Sequence, residues 1–168
     1  WQGTSLLDEV HTIMSTVGSL TISDSGSQGQ REDTSGEAIQ EIMAARGFEV
    51  LRRSVVPDQA TIITDRLRQW TEEVDLILTT GGTGLGPRDV TPEATWDVIE
   101  RPVPGLSEVM RAETRHNTPM AALSRGVAGV RGRCLIINLP GNPRAVQECL
   151  EVILVVLPHA LETLKGPV

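Results

Sequence analysis

The chain is expected to fold as one α/β domain, doubly wound, with a mostly parallel central sheet and helices on both faces. Three observations carry that expectation. Apolar strand-like runs alternate with helix-period segments in the order βαβαβ through the first half. The third run, Leu76-Ile77-Leu78-Thr79-Thr80, is short and apolar enough to lie centrally in a parallel sheet. It feeds a glycine-dense loop ahead of a new helix, and ligands of such sheets sit beyond the carboxyl ends of the strands.

Residues 1–14 are read as an N-terminal extension in which Leu6, Leu7, Val10, Ile13 and Met14 recur at helical intervals. Residues 15–168 form the single domain. Its first strand spans 17–23 and ends in Ser23-Asp24-Ser25, and 26–33 are a polar loop. Thr34 and Glu37 stand at capping-box spacing; Ile39, Ile42 and Met43 supply an apolar face, and Gly47 closes that helix. Residues 48–56 are the second strand. Pro57-Asp58 ends it and opens a helix carrying Ile62, Ile63, Leu67 and Trp70. The third strand is 75–80, with Asp75 as a solvated turn residue. Pro92 suits the first turn of a helix reaching about Glu100, and Pro104-Gly105 opens another. Residues 127–130 and 134–139 flank Arg131-Gly132-Arg133 as a hairpin. After the rigid loop Leu139-Pro140-Gly141-Asn142-Pro143 a helix starts near Arg144, and Pro158 separates it from a final one. The apolar positions in 150–157 suit core packing or a subunit contact equally.

Composition narrows the function. A chain of 168 residues with 39% hydrophobic content can bury a real core. Only 2% is aromatic, so the core rests on Leu, Ile, Val and Ala. The net charge of −7 argues against broad nucleic-acid binding or an anionic membrane surface. Lys165 is the single lysine, so backbone amides and a metal ion would carry much of any phosphate binding. Cys134 and Cys149 have no metal-ligand spacing and read as buried free thiols of a cytoplasmic protein; His11, His116 and His159 form no ligand set. No apolar run reaches membrane-spanning length.

The chemistry concentrates at residues 79–93. Four glycines in the six positions 81–86 leave backbone amides uncovered, and Thr79, Thr80 and Thr83 add hydroxyls. Such a loop before a helix can cradle phosphate oxygens. It is neither a Walker A loop, because Gly-Pro-Arg stands where Gly-Lys-Ser/Thr is required, nor a dinucleotide fingerprint. Three strand ends each carry an aspartate: Asp24, Asp58 and Asp89. On parallel neighbours they would rise on one edge beside the loop, an oxygen-rich setting for Mg²⁺. Each has a structural alternative. Asp58 could cap a helix, Asp89 could pair with Arg88 or cap the next helix, and Asp24 could make an Asx turn.

Residues 79–95, TTGGTGLGPRDVTPEAT, resemble the signature of the molybdopterin adenylyltransferases: the bacterial MogA type, the gephyrin G domain and its plant Cnx counterpart. The resemblance extends through LTISDS at 20–25, EDTSG at 32–36, VPD at 56–58, PGL at 104–106, LSR at 123–125 and IINLPGNP at 136–143. It implies the MogA/MoaB-like molybdopterin-binding fold, a homotrimer, and Mg-ATP-dependent transfer of AMP to the terminal phosphate of molybdopterin with release of pyrophosphate. A molybdenum-insertion protein is an implied partner. By the same resemblance Asp58 and Asp89 hold Mg²⁺ and are catalytic; Gly81, Gly82, Thr83, Gly84, Thr114, Ser124 and Asn138 bind substrate; Ser23, Asp24, Gly141 and Asn142 contribute to the nucleotide side. MoaB-type proteins share the fold and the TGGTG loop, and some lack adenylyl transfer. They commonly replace the segment after the glycines and the Pro-Gly-Asn-Pro loop, both of which this chain keeps.

Overall fold

A computed structural model describes residues 14–167. The helix expected over 1–14 lies outside the described residues except for Met14, which is exposed. The first strand, β1 (Thr16–Ile22), leads into a one-turn helix α1 (Asp24–Ser27) and then α2 (Thr34–Ala45). Next come β2 (Glu49–Val56), α3 (Ala60–Thr71), β3 (Leu76–Thr80) and α4 (Thr91–Trp96). A two-residue strand β4 (Arg101–Pro102) precedes α5 (Pro104–Thr114) and a 3-10 turn over Pro119–Leu123. The chain closes with the hairpin β5 (Ala128–Arg131) and β6 (Cys134–Leu139), then α6 (Pro143–Ile153) and α7 (Leu157–Lys165).

The six strands lie in the order β2-β1-β3-β6-β5-β4, with β2, β1, β3 and β6 mutually parallel. The last two pairings are antiparallel, as the Gly132 turn (φ +58°) dictates for the hairpin. Alternation along the central strands sends successive side chains to opposite faces. Leu76, Leu78, Leu135, Ile137 and Leu139 join one core beneath α2, α5, α6 and α7. Ile77, Cys134 and Ile136 join the other, under α3 and α4 with Leu67 and Trp70. Helices therefore cover both faces, as expected of a doubly wound sheet.

Several local expectations are corrected. Asp33, not Thr34, caps α2 by accepting the Gly36 N–H at 3.0 Å. The helix after β2 starts at Ala60, and Gln59 precedes it without a side-chain cap, so Asp58 is free for another task. Asp75 is no solvated turn residue; its Oδ2 accepts from the Thr16 N–H at 2.9 Å and ties β1 to β3. The helix expected to reach Glu100 stops at Trp96. Pro158 sits inside the first turn of α7, where its missing N–H costs nothing. Of the 150–157 segment, Leu150, Ile153, Leu154 and Leu157 are core, leaving Val155 and Val156 exposed. Strand β4 carries no periodic signal because it is two residues long and contains a proline.

Candidate functional site

Neighbouring parallel strands bring the three aspartates to one edge, but they are not equivalent. Asp24 and Asp58 are interlocked: the Asp24 N–H donates to Asp58 Oδ2 at 2.9 Å, and the Asp58 N–H donates to Asp24 Oδ1 at 3.0 Å. Arg88 closes a bidentate pair on Asp24 at 3.0 Å through Nε and Nη2. Arg88 thus pairs with Asp24 rather than with its neighbour Asp89, and Asp24 makes no simple Asx turn; Ser23 caps α1 instead. Asp89 accepts the Gly86 N–H on Oδ2 at 2.9 Å and caps no helix.

The glycine loop wraps around these groups. Gly81 and Gly82 have φ of +97° and +70°. A Cβ on Gly82 would lie 2.2 Å from Thr91 Oγ1, so no side chain fits. Thr91 fastens the loop to α4 by donating from Oγ1 to the Gly81 carbonyl at 2.9 Å. Arg125 braces the far side. Its Nε donates to the Gly84 carbonyl and its Nη2 to the Asp89 carbonyl, both at 2.8 Å, and its Nη1 pairs with Glu93. The Pro140-Gly141 turn is tethered by Thr80 Oγ1 to the Pro140 carbonyl at 2.6 Å and by Ser35 Oγ to the Gly141 carbonyl at 2.9 Å.

Two cavities open on this frame. The larger, about 500 Å³, runs between the glycine loop, α5 and the start of α6. The smaller, about 220 Å³, lies over the ends of β1 and β2 and the start of α2. They share Gly82, Asp89 and Gly141, so they meet at one junction. Thr83, Gly84, Thr114, Ser124 and Asn138, expected on the substrate side, line the larger cavity. Ser23, Asp58 and Gly81 line the smaller. Gly81 faces the smaller cavity, and Asn142 lines the larger while its Oδ1 caps α6 through the Ala145 N–H at 2.8 Å. Asp24 lines neither and is hydrogen-bonded to Asp58. Asn138 is committed to the scaffold: its Nδ2 donates to Thr79 and Thr95 at 3.0 Å each, and its Oδ1 accepts the Val127 N–H.

Charge is distributed unevenly across the junction. Burial pushes the Asp58 carboxyl above its usual value, with the negative charges of Asp24 and Asp89 adding to the rise. Hydrogen bonding to Arg88 holds Asp24 below its usual value. Asp58 is thus a carboxylate short of positive charge, and among the described residues Asp58 and Asp89 each keep one oxygen without a protein partner. No group of three acidic, His or Cys side chains converges among the described residues. A pair of carboxylates suits Mg²⁺, which keeps several waters and takes its remaining ligands from substrate phosphates.

A family model described as a probable molybdopterin binding domain matches residues 18–159. The chain belongs to that family. A crystal structure of the molybdopterin biosynthesis enzyme MoaB from Thermus thermophilus is 55% identical, covers 92% of this chain and 98% of its own, and superposes with a TM-score of 0.86. The molybdopterin adenylyltransferase of Helicobacter pylori (strain J99) is 41% identical over 89% of this chain and 88% of its own length. The molybdenum cofactor synthesis protein cinnamon of Drosophila melanogaster is 45% identical over 91% of this chain. There the chain spans only 26% of the relative's length, so in that protein the molybdopterin-binding domain is one part of a larger whole.

Sequence reasoning did not single out Arg125, Ser35, Ser107 or Glu148 as site residues. Arg125 had a signal in the Leu123-Ser124-Arg125 match and Ser35 in the EDTSG match at 32–36. Ser107 and Glu148 depend on which helix packs beside which, and no local pattern carries that.

Proposed function

We propose that this molybdopterin-binding domain is a molybdopterin adenylyltransferase, transferring AMP from Mg-ATP to the terminal phosphate of molybdopterin and releasing pyrophosphate. The observation that carries the reading is the junction of the two cavities at Gly82, Asp89 and Gly141. A site of this shape holds two ligands with their reactive ends together. The adenylyltransferase relative, 41% identical along nearly its whole length, supports the choice of reaction.

The chemistry asks little covalent help from the protein. A phosphate oxygen of molybdopterin, already anionic, forms a bond to the α-phosphorus of ATP as the bond to pyrophosphate breaks. No general base is required; alignment and charge neutralisation are. Asp58 and Asp89 would hold Mg²⁺, whose positive charge offsets the repulsion between the two phosphate chains. The uncovered N–H groups of the glycine loop supply preorganised donors for phosphate oxygens. Arg125 keeps that loop from relaxing, and the Asp24–Arg88 pair fixes the carboxylate of Asp58.

The family resemblance supports a second reading, a domain that binds molybdopterin without transferring AMP, as in some MoaB-type proteins. Both Asp58 and Asp89 are present, Asp89 at the junction and Asp58 in the wall of the smaller cavity, which favours the enzyme. Incubation with molybdopterin and Mg-ATP decides between them. Adenylylated molybdopterin with stoichiometric pyrophosphate supports the transferase; binding without either product supports the second reading. A homotrimer and a molybdenum-insertion partner belong to the same proposal, with the family resemblance as their support. Sedimentation equilibrium tests the first.

A further inference from the structure

The larger cavity extends well beyond the junction, to an end between α5 and α6 that phosphate chemistry does not explain. That end is lined by Ser107, Met110 and Arg111 of α5 and by Ala145, Glu148 and Cys149 of α6. Glu148 is unusual for a cavity acid. Its side chain is only 19% exposed, and its one described partner is Arg144, which is itself 86% exposed and touches a single oxygen, Oε1, at 3.1 Å. Burial of a carboxylate is costly without paired donors, and a solvated arginine one turn away offsets little of it. Ser107 lines the same cavity from α5. It is 4% exposed, and its hydroxyl has no hydrogen-bond partner among the described residues. Buried hydroxyls are rarely left so.

Two under-satisfied polar groups on neighbouring helices, in a pocket that Met110, Ala145 and Cys149 also line, match the usual plan of a ligand site. Glu148 offers two acceptor oxygens; Ser107 offers a donor. The complementary ligand edge carries two adjacent N–H donors flanked by a carbonyl acceptor. The amino-pyrimidinone edge of a pterin is such an edge, and a carboxylate can take its two N–H groups side by side, as it takes an arginine fork. Position agrees with chemistry. Glu148 stands five residues beyond Pro143 along α6, roughly 8 Å from the helix start at the rise of an α-helix, while the junction lies at that start.

We propose that Glu148, assisted by Ser107, reads the amino-pyrimidinone edge of the bicyclic head while the glycine loop holds the phosphate end. This rests on the transferase reading and adds to it the residues that select the ring system. Glu148 makes the recognition bidentate, and Met110 offers a flat, polarisable contact for the ring face.

The test titrates the full chain with molybdopterin, following quenching of the pterin fluorescence, and measures Mg-ATP binding separately. Glu148→Gln keeps the shape and loses one acceptor and the charge; it is expected to weaken molybdopterin roughly ten- to hundredfold while Mg-ATP affinity and the thermal midpoint stay put. Ser107→Ala is expected to cost a few-fold, and Arg144→Ala almost nothing. As competitors, a hydroxymethyl pterin should outperform its lumazine counterpart, in which an oxo group replaces the ring amino group, and Glu148→Gln should level the two. Molybdopterin affinity unchanged in Glu148→Gln overturns the proposal. So does a loss shared equally with Mg-ATP and accompanied by a lowered midpoint, or a wild type that treats the two competitors alike. If wild type binds no molybdopterin at all, the transferase reading fails first, and this proposal falls with it.

Discussion

The larger cavity is walled by Leu85, Met110, Met120, Leu123 and Cys149, whereas the smaller is walled by Thr21, Ser23, Arg31, Glu32, Ser35 and Asp58. One set gains by covering an apolar ring and excludes water; the other offers hydroxyls and charge to a ligand that stays partly hydrated. Burial and the neighbouring charge of Glu148 push the Cys149 thiol up to about 11, so it remains neutral and inert in the apolar wall. Burial also raises the Asp58 carboxyl, yet there the neighbours are two further carboxylates. The same cause silences a group in one cavity and prepares a cation-seeking group in the other. A fold can thus join an organic head and a polyphosphate in one reaction by keeping their environments separate until a few shared residues.

Perturbing those shared residues should break the contrast most sharply. Asp89→Ala is expected to lower AMP transfer by about 10³-fold while molybdopterin and ATP each still bind, which single-turnover assays alongside separate titrations would show. Substantial transfer by that variant would sink the role given to Asp89. Gly82→Ala should damage both cavities together. The left-handed backbone costs an alanine about 1–2 kcal/mol before the contact with Thr91 is counted, and denaturant unfolding should record at least that loss.

Smaller effects should separate the two sides. Arg125→Met removes the brace on Gly84, which lines only the larger cavity, and the brace on Asp89, which lines both, and is expected to cost roughly 2 kcal/mol of stability. Its molybdopterin affinity should fall more than its ATP affinity; an equal fall would mean that the loop serves both ligands alike. Glu93→Gln should act least and only through pH. Arg125 holds the Glu93 carboxyl below its reference value of 4.5. The stability gained from that pair is therefore present above 4.5 and lost as pH falls through the lowered value. Wild type and variant should differ in thermal midpoint at neutral pH and converge in acid.

The sheet was readable from periodicity because β3 and β6 are continuous apolar runs, and the Arg131-Gly132-Arg133 turn announces its hairpin. The two-residue β4 was not readable, since it exists only through pairing with β5. Asp58 and Asp89 stood out as acids near strand ends; Asp58 lines the smaller cavity and Asp89 lines both. Their partners did not. Arg88 lies beside Asp89 in the chain but binds Asp24, 64 residues away, because strand order rather than sequence neighbourhood sets the geometry. The capping-box spacing of Thr34 and Glu37 misled for a similar reason. Asp33, one residue earlier, is held by Thr21 and Arg53 of adjacent strands and takes the cap itself.

The position of β6 sets the order in which this molecule can be completed. It is the last strand in sequence, yet it lies between β3 and β5 in the sheet. Until residues 134–139 are available, β3 presents an open apolar edge of the kind that recruits other chains. The Gly141 wall of the junction is missing for the same interval. A chain emerging from the ribosome therefore cannot assemble either cavity piecemeal. It passes through a stage that is sticky and inactive, and both conditions end together when one late strand slots into place.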